Sequence, residues 1–286
     1  PVPQGCSPQN PADGTPMNLA FRFSYLGDRF FGSQIQSDLR TVEGEFIAAA
    51  RHLRLFDDWR KANFATAGRT DRGVHARCQV CSFRTDKPEL AIEALNPVLP
   101  PDIWCTGWAG VPDDFHPRYS AVSRTYRYYF SAPGDVAAMH EAAEAFLGRH
   151  DFSAFARVGD RNPERRILAS RVFADRQFAV FEVTGESFLW NMVRCMATML
   201  GRVGRGEAEA AEITRLLAGP VDGRVAAAPP EGLILWDIEC GIPFAPLPID
   251  AKSSRHLADR HRYHVLMAEI SADLAPDPRQ PETPEI

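Results

Sequence analysis

Ala67-Gly68-Arg69-Thr70-Asp71-Arg72-Gly73-Val74-His75-Ala76 sets one carboxylate among two arginines and a histidine, in a glycine-bounded loop that runs into a strand-like segment. Gly68 and Gly73 permit backbone conformations that a Cβ forbids, so the chain can turn sharply and present Asp71 instead of burying it. Guanidinium groups close to a carboxylate favour its charged form, which is the form a nucleophile or base requires. An Asx turn with solvated neighbours would use the same residues, so the loop alone leaves both readings open.

Outward from the loop, short strands and helices alternate. Leu19 to Tyr25 alternates apolar and polar residues like a half-buried strand, and Gly27-Asp28 breaks it. Thr41 to Leu55 reads as a helix that Thr41 can cap, with Val42, Phe46, Ala49, Leu53 and Phe56 at helical spacing. Phe64 to Ala67 and Gln79 to Arg84 read as strands flanking the Asp71 loop, Pro88 to Leu95 as a helix closed by Asn96-Pro97, and Trp104 to Val111 as a returning strand. After a boundary at Pro112-Asp113-Asp114 the same kinds of element recur: a strand from Ser123 to Ser131 and a helix from Val136 to Leu147. A hairpin of Ile167 to Asp175 and Phe178 to Gly185 turns at Arg176-Gln177, and a long helix runs from Leu189 to Val203. Two strand-helix-strand halves with antiparallel pairs define an α+β chain. They imply one domain over 17–112 and a second over 113–248, with a disordered leader over 1–16 and a helix plus acidic disordered tail over 249–286.

Composition narrows the function. At 286 residues and 45% hydrophobic content, the chain is long enough for two cores. The leader has neither a basic start nor an apolar stretch, and no run approaches the ~18 apolar residues of a membrane span, so a cytoplasmic protein with no membrane association is expected. Cys78 and Cys81 form a C-x-x-C pair, but residues three apart on a strand point to opposite faces and no second pair completes four ligands, so no metal is assigned. The glycines of Gly201-Arg202-Val203-Gly204-Arg205-Gly206 follow a helix instead of opening one, and read as a helix terminus, not a nucleotide loop. No H-E-x-x-H or G-x-S-x-G occurs. The formal charge of −5 speaks against a nucleic-acid partner. Its distribution answers that objection: the only lysines are Lys61, Lys87 and Lys252, so the positive charge is nearly all arginine, the side chain whose planar fork suits phosphate. From Glu269 onward five carboxylates face one arginine, which leaves the body close to neutral.

Further segments fall into one order. Tyr25-Leu26-Gly27-Asp28-Arg29-Phe30-Phe31-Gly32-Ser33-Gln34-Ile35-Gln36 and Arg40-Thr41-Val42-Glu43-Gly44 precede the Asp71 loop. His116-Pro117-Arg118-Tyr119-Ser120-Ala121, Arg124-Thr125-Tyr126-Arg127-Tyr128, Gly185-Glu186-Ser187-Phe188-Leu189-Trp190-Asn191-Met192-Val193-Arg194 and Ala228-Pro229-Pro230-Glu231-Gly232-Leu233 follow it. Together these resemble the tRNA pseudouridine synthases of the A type over most of residues 19 to 240. The resemblance implies the pseudouridine synthase fold: two similar α/β-sandwich halves of the RNP or ferredoxin-like kind, with mixed, largely antiparallel sheets flanking a central cleft. It also implies isomerisation of uridine to its C-glycoside in the anticodon stem-loop of tRNA, with no cofactor, by a homodimer whose two subunits share the RNA.

Under the same resemblance Asp71 is the catalytic carboxylate, acting by covalent attack or by abstracting a sugar proton. Arg69 helps hold the flipped nucleotide, Tyr126 stacks on the uracil, and Leu233 lines the pocket floor. Arg194, among the apolar residues near the start of its helix, needs a partner, and Asp71 is the natural one. Phe31, Gln34, Arg40, Arg77, His116 and Arg118 match positions that touch RNA in the family. Arg72 stands where the family mostly has Ala and Tyr119 where it mostly has Phe, departures that spare the catalytic set. Arg165 matches the arginine of a Pro-x-Arg segment, and the resemblance ends near residue 245, leaving the helix-like His256 to Ile270 segment to dimer contact or local packing. Two other classes compete: a catalytically inactive RNA-binding or chaperone module of the same fold, and an Asp-dependent hydrolase, which would need a second carboxylate as acid.

Overall fold

The computed structural model describes residues 16–132, 134–219 and 223–275; most of the expected leader and the end of the acidic tail lie outside the described residues. The N-terminal half runs β1 (Met17–Tyr25), α1 (Val42–His52), β2 (Ala65–Thr66), β3 (His75–Thr85), α2 (Pro88–Val98) and β4 (Ile103–Val111). Thr41 caps α1, its hydroxyl accepting from the Gly44 N–H at 3.2 Å. The chain continues through β5 (Ser123–Phe130), α3 (Val136–Glu144), β6 (Gly148–Asp151), β7 (Glu164–Asp175), β8 (Phe178–Gly185), α4 (Met192–Gly204) and α5 (Ala210–Leu217). It closes with β9 (Leu233–Glu239), β10 (Ala245–Pro246) and α6 (Ala251–Leu274).

All the strands belong to one sheet in the order β10-β4-β1-β3-β9-β5-β8-β7-β6, with β2 added beside β3. The architecture is α+β, as expected. The chain crosses back over the expected 112/113 boundary. β9 inserts between β3 and β5 and joins the halves, pairing parallel with β3 (Ala76 beside Leu235) and antiparallel with β5 (Tyr126 beside Leu235). β10 then pairs with β4, and Lys252 of α6 donates to the carbonyls of Asn96 and Pro97, so the last segment packs on the N-terminal half.

One face of the sheet carries the core. Phe46 of α1 lies 5.2 Å from Phe23 and 6.4 Å from Phe21, and Phe83 of β3 closes the cluster. In the other half Phe146, Phe152, Phe155 and Phe181 interlock beneath α3 and α4. Between these two clusters Tyr25, Ala76, Tyr126 and Leu235 line up across four adjacent strands, and the Asp71 loop stands there because it leads directly into β3.

Differences from the sequence reading have local causes. α4 begins at Met192 and not at Leu189, because Asn191 adopts a left-handed backbone (φ 65°) and Trp190 pairs with Arg157 in an isolated bridge. Pro97 sits inside α2, whose last turn continues to Val98. β6, α5, β9 and β10 were not foreseen: the Leu233-Ile234-Leu235-Trp236 run is apolar without period, so its pattern identifies no element.

Gly27 controls how the β1 turn meets the Asp71 loop. A Cβ there would stand 1.9 Å from the Val74 carbonyl oxygen, and the Gly27 N–H donates to His75 Nδ1 at 3.0 Å. Gly27→Ala should displace residues 71–74 while leaving both aromatic clusters intact. The expected result is a cooperative unfolding transition retained within about 2 kcal/mol together with loss of most activity; wild-type turnover would show that the loop tolerates the shift.

Candidate active site

Asp71 sits at the head of β3 in a turn closed by the Val74 N–H donating to the Asp71 carbonyl at 3.2 Å. Gly73 holds φ +85°, a conformation that disfavours any side chain. The loop is pinned from behind. The Thr70 N–H donates to Ser33 Oγ at 2.8 Å, the Ser33 N–H returns to the Thr70 carbonyl at 3.0 Å, and Thr70 Oγ1 lies 2.8 Å from the buried Tyr25 hydroxyl. These contacts leave the carboxylate as the free end of a rigid turn, about a third exposed.

Its partners lie 119 and 123 residues away in sequence, one just before α4 and one in its first turn. Arg194 Nη1 donates to Asp71 Oδ2 at 3.1 Å, and Trp190 Nε1 donates to Oδ1 at 2.9 Å. Arg194 is itself tethered, donating through Nε to the Ala228 carbonyl at 2.6 Å and through Nη1 to Asn191 Oδ1 at 3.3 Å. The expected Asp71–Arg194 pair is therefore present. The loop's own neighbours behave differently from the sequence reading, since neither Arg72 nor His75 touches Asp71. Arg72 stacks its guanidinium 4.4 Å from the Phe31 ring centroid, and His75 points away to accept from Gly27. Burial pushes the His75 imidazole below its ordinary pKa, so a neutral ring accepts that bond.

Arg69, Tyr126, Phe188, Trp190, Arg194 and Leu233 surround Asp71 around a cavity of about 60 Å³. Tyr126 packs edge-on against Phe188 with ring centroids 5.0 Å apart, and burial pushes its phenol up to about 12. It is neutral throughout the physiological range. No second carboxylate lines this cavity among the described residues, which removes the acid that a two-carboxylate hydrolase needs. Arg124 fastens the surroundings: buried and without a carboxylate partner among the described residues, it donates to the carbonyls of Ala67, Arg118 and Glu186, tying three loops around the site.

The other anticipated residues stand apart from Asp71. Phe31 and Gln34 are exposed on the segment that buttresses the loop, and His116, half-buried and stacked on the exposed Tyr119 at 4.5 Å, lies with exposed Arg118 on the loop Arg124 holds. Arg40 is already engaged, bidentate to Asp102 at 2.8 and 2.9 Å, paired with Glu45 and stacked on Phe30. Arg77 lies on the opposite face of the sheet, 4.5 Å from the Trp236 ring centroid. Neither serves the cavity directly. Trp190 is the residue that sequence reasoning missed; it lies within the quoted Gly185 to Arg194 segment, but nothing in the spacing reveals an indole N–H aimed at a carboxylate.

Cys78 and Cys81 are buried, and desolvation raises both thiols, Cys78 to about 12, so they carry protons and pack as apolar groups. No group of three or more His, Cys, Asp or Glu residues suited to a metal occurs among the described residues, and no helix there is long and apolar enough to cross a membrane.

A single Asp in a rigid turn, an arginine that anchors it and a buried tyrosine meet at a small cavity, an arrangement that suits acid–base or nucleophilic chemistry. A family model described as tRNA pseudouridine synthase matches residues 142–239. The chain is 86% identical over 270 residues to tRNA pseudouridine synthase A of Methanoculleus marisnigri, covering 94% of this chain and all of that one. It is 52% identical to the protein of the same name from Methanosphaerula palustris (89% and 91% covered) and 43% identical to that of Thermococcus sibiricus (90% and 98% covered). The chain belongs to the tRNA pseudouridine synthase A family.

The Asp71–Arg194 pair is testable by a double-mutant cycle. Arg194→Met should cost about 1–3 kcal/mol in urea denaturation, less than the ~3–5 kcal/mol of a fully buried pair, because Asp71 keeps 30% of its side-chain surface. Adding Asp71→Leu should restore much of that loss, and a double variant no more stable than Arg194→Met would show that the two groups do not depend on each other.

Proposed function

We propose that this protein isomerises uridine to pseudouridine in the anticodon stem-loop of tRNA, with Asp71 as the catalytic carboxylate. The observation that carries the reading is the Asp71 carboxylate fixed by Arg194 at a cavity that Tyr126 and Leu233 also line, in a chain whose relatives are named tRNA pseudouridine synthase A. In the reaction the N1–C1′ bond breaks, the uracil turns, a C5–C1′ bond forms, the C5 proton leaves and N1 takes up a proton. Atoms are conserved and nothing is oxidised.

Asp71 acts on the sugar or base as nucleophile, or removes a sugar proton; both routes need a charged carboxylate with an accessible oxygen. Arg194 keeps that charge in place. Tyr126 offers a flat ring for the uracil and a hydroxyl that stays protonated. Because a stacked base is out of reach, the nucleotide must be extruded, and Arg69, exposed and lining the cavity, holds its backbone in this reading. Arg118, His116, Phe31 and Gln34 form the surrounding RNA contact surface. Asp71→Asn keeps shape and loop hydrogen bonding but removes the charge; tritium release from tRNA labelled at uridine C5 should fall by at least a thousandfold (about 4 kcal/mol of barrier) while tRNA still binds. Substantial release by Asp71→Asn would refute the assignment.

We infer that the protein works as a homodimer. Tyr263, Leu266, Met267, Ile270 and Leu274 of α6 are exposed and recur at the spacing of one helix face. Beside them the uncovered sheet face holds a groove of about 660 Å³ lined by Trp104, Tyr129, Phe178, Trp236 and Leu257. Apolar surface of this kind is what an interface between copies would cover. Light scattering with and without tRNA reads both proposals. Free protein should have twice 31.8 kDa. The RNA complex should weaken steeply with salt despite the acidic net charge, and Arg69→Ala and Arg118→Ala should each flatten the salt slope by about one unit. Monomeric protein, or binding indifferent to salt, would remove the corresponding part.

A further inference from the structure

Both oxygens of Asp71 accept hydrogen bonds, and the two donors differ in freedom. Arg194 is 15% exposed and fixed at three acceptors. Trp190 is 52% exposed. Its main chain is held by the Arg157 N–H donating to the Trp190 carbonyl at 3.0 Å and by the left-handed Asn191, yet its indole rests mainly against the Arg157 guanidinium, 4.6 Å from the ring centroid. That ring can change rotamer without moving the backbone. It also borders the site: the cavity it lines measures about 60 Å³, less than the ~150 Å³ of a cavity that admits benzene. An outward swing of the indole would widen it for a pyrimidine.

We infer that Trp190 is the positioning residue that guards Asp71: its N–H holds Oδ1 while the site is empty, and its ring swings outward as the nucleotide enters, handing Oδ1 to the substrate. This rests on Asp71 as the reacting carboxylate. Oδ2 stays with Arg194 throughout, so Oδ1 is the oxygen that reacts. Arg157 serves as the sliding partner for the ring, because stacking on a guanidinium fixes no in-plane direction.

The bond between Trp190 and Asp71 is made in the resting state and broken before chemistry, so it opposes the reaction. Removing the N–H while keeping an aromatic ring should ease entry. Trp190→Phe is expected to raise kcat/KM for tRNA about fivefold, chiefly through KM, the order of one hydrogen bond of modest net strength. A fall in kcat at unchanged KM would mean that the indole orients Asp71 during the reaction, and unchanged constants would mean that it does neither; both outcomes overturn the proposal. A second measurement does not depend on the variant's rates. Of the five tryptophans, labelled with fluorotryptophan, the fluorine resonance missing from Trp190→Phe (or from Trp190→His, should the first variant fold poorly) should shift when tRNA binds. An unmoved resonance overturns the gate. Asp71→Asn in parallel separates the two readings: an active Asp71→Asn discards the catalytic assignment and the gate together, whereas an inactive one leaves the Trp190 results to judge the gate alone.

Discussion

A cation in the first turn of a core helix constrains everything around it. Arg194 lies where the helix macrodipole of α4 repels positive charge and attracts negative charge, and Val193, Cys195 and Met196 beside it are buried. An anion beyond the helix start satisfies both demands, and Asp71 stands there at 3.1 Å. The dependence runs both ways: the loop holds its carboxylate toward α4 because the tethered guanidinium gives it a fixed partner. Bringing the two together requires β3 and β5 to be near neighbours, which is what the insertion of β9 between them achieves.

Much of this was legible in the sequence where the signal is periodic or chemical. The strand of Leu19 to Tyr25, the capped helix at Thr41, the hairpin at Arg176-Gln177 and the Met-rich helix each follow from spacing. So did the Asp71–Arg194 pair, because a charge on an apolar helix demands a partner. What sequence could not carry was order across the sheet. β9 is short, apolar over its first four residues and parallel to only one neighbour, and its place between the halves is fixed by contacts remote in the chain. Pattern reports which residues are inward, not which strand lies beside which.

The loop's own composition misdirected the local electrostatics in an instructive way. Residues adjacent on a tight turn splay apart, so Arg72 and His75 project to Phe31 and Gly27 while the carboxylate meets residues more than a hundred positions away. His75 is then a neutral strut, Arg72 a stacking lid on Phe31, and neither sets the charge at Asp71. Arg72 does not crowd the site because its side chain leaves it.

The same reasoning resolves the contradiction between an acidic protein and an anionic partner. Arg124 is bound by three carbonyls, Arg40 by Asp102 and Glu45, and Arg127 and Arg171 by Glu182. These guanidiniums act as struts, a task that suits a planar fork with five donors better than an ammonium. Their charge is cancelled or buried, as is that of the acids they meet, so net charge over the whole chain says little about any surface. What bears on RNA is the residual set around the Asp71 cavity, where exposed Arg69 and Arg118 stand beside a site lined by one carboxylate that Arg194 already neutralises. Local potential, set by which arginines the fold leaves unspoken for, decides whether a phosphate backbone can approach.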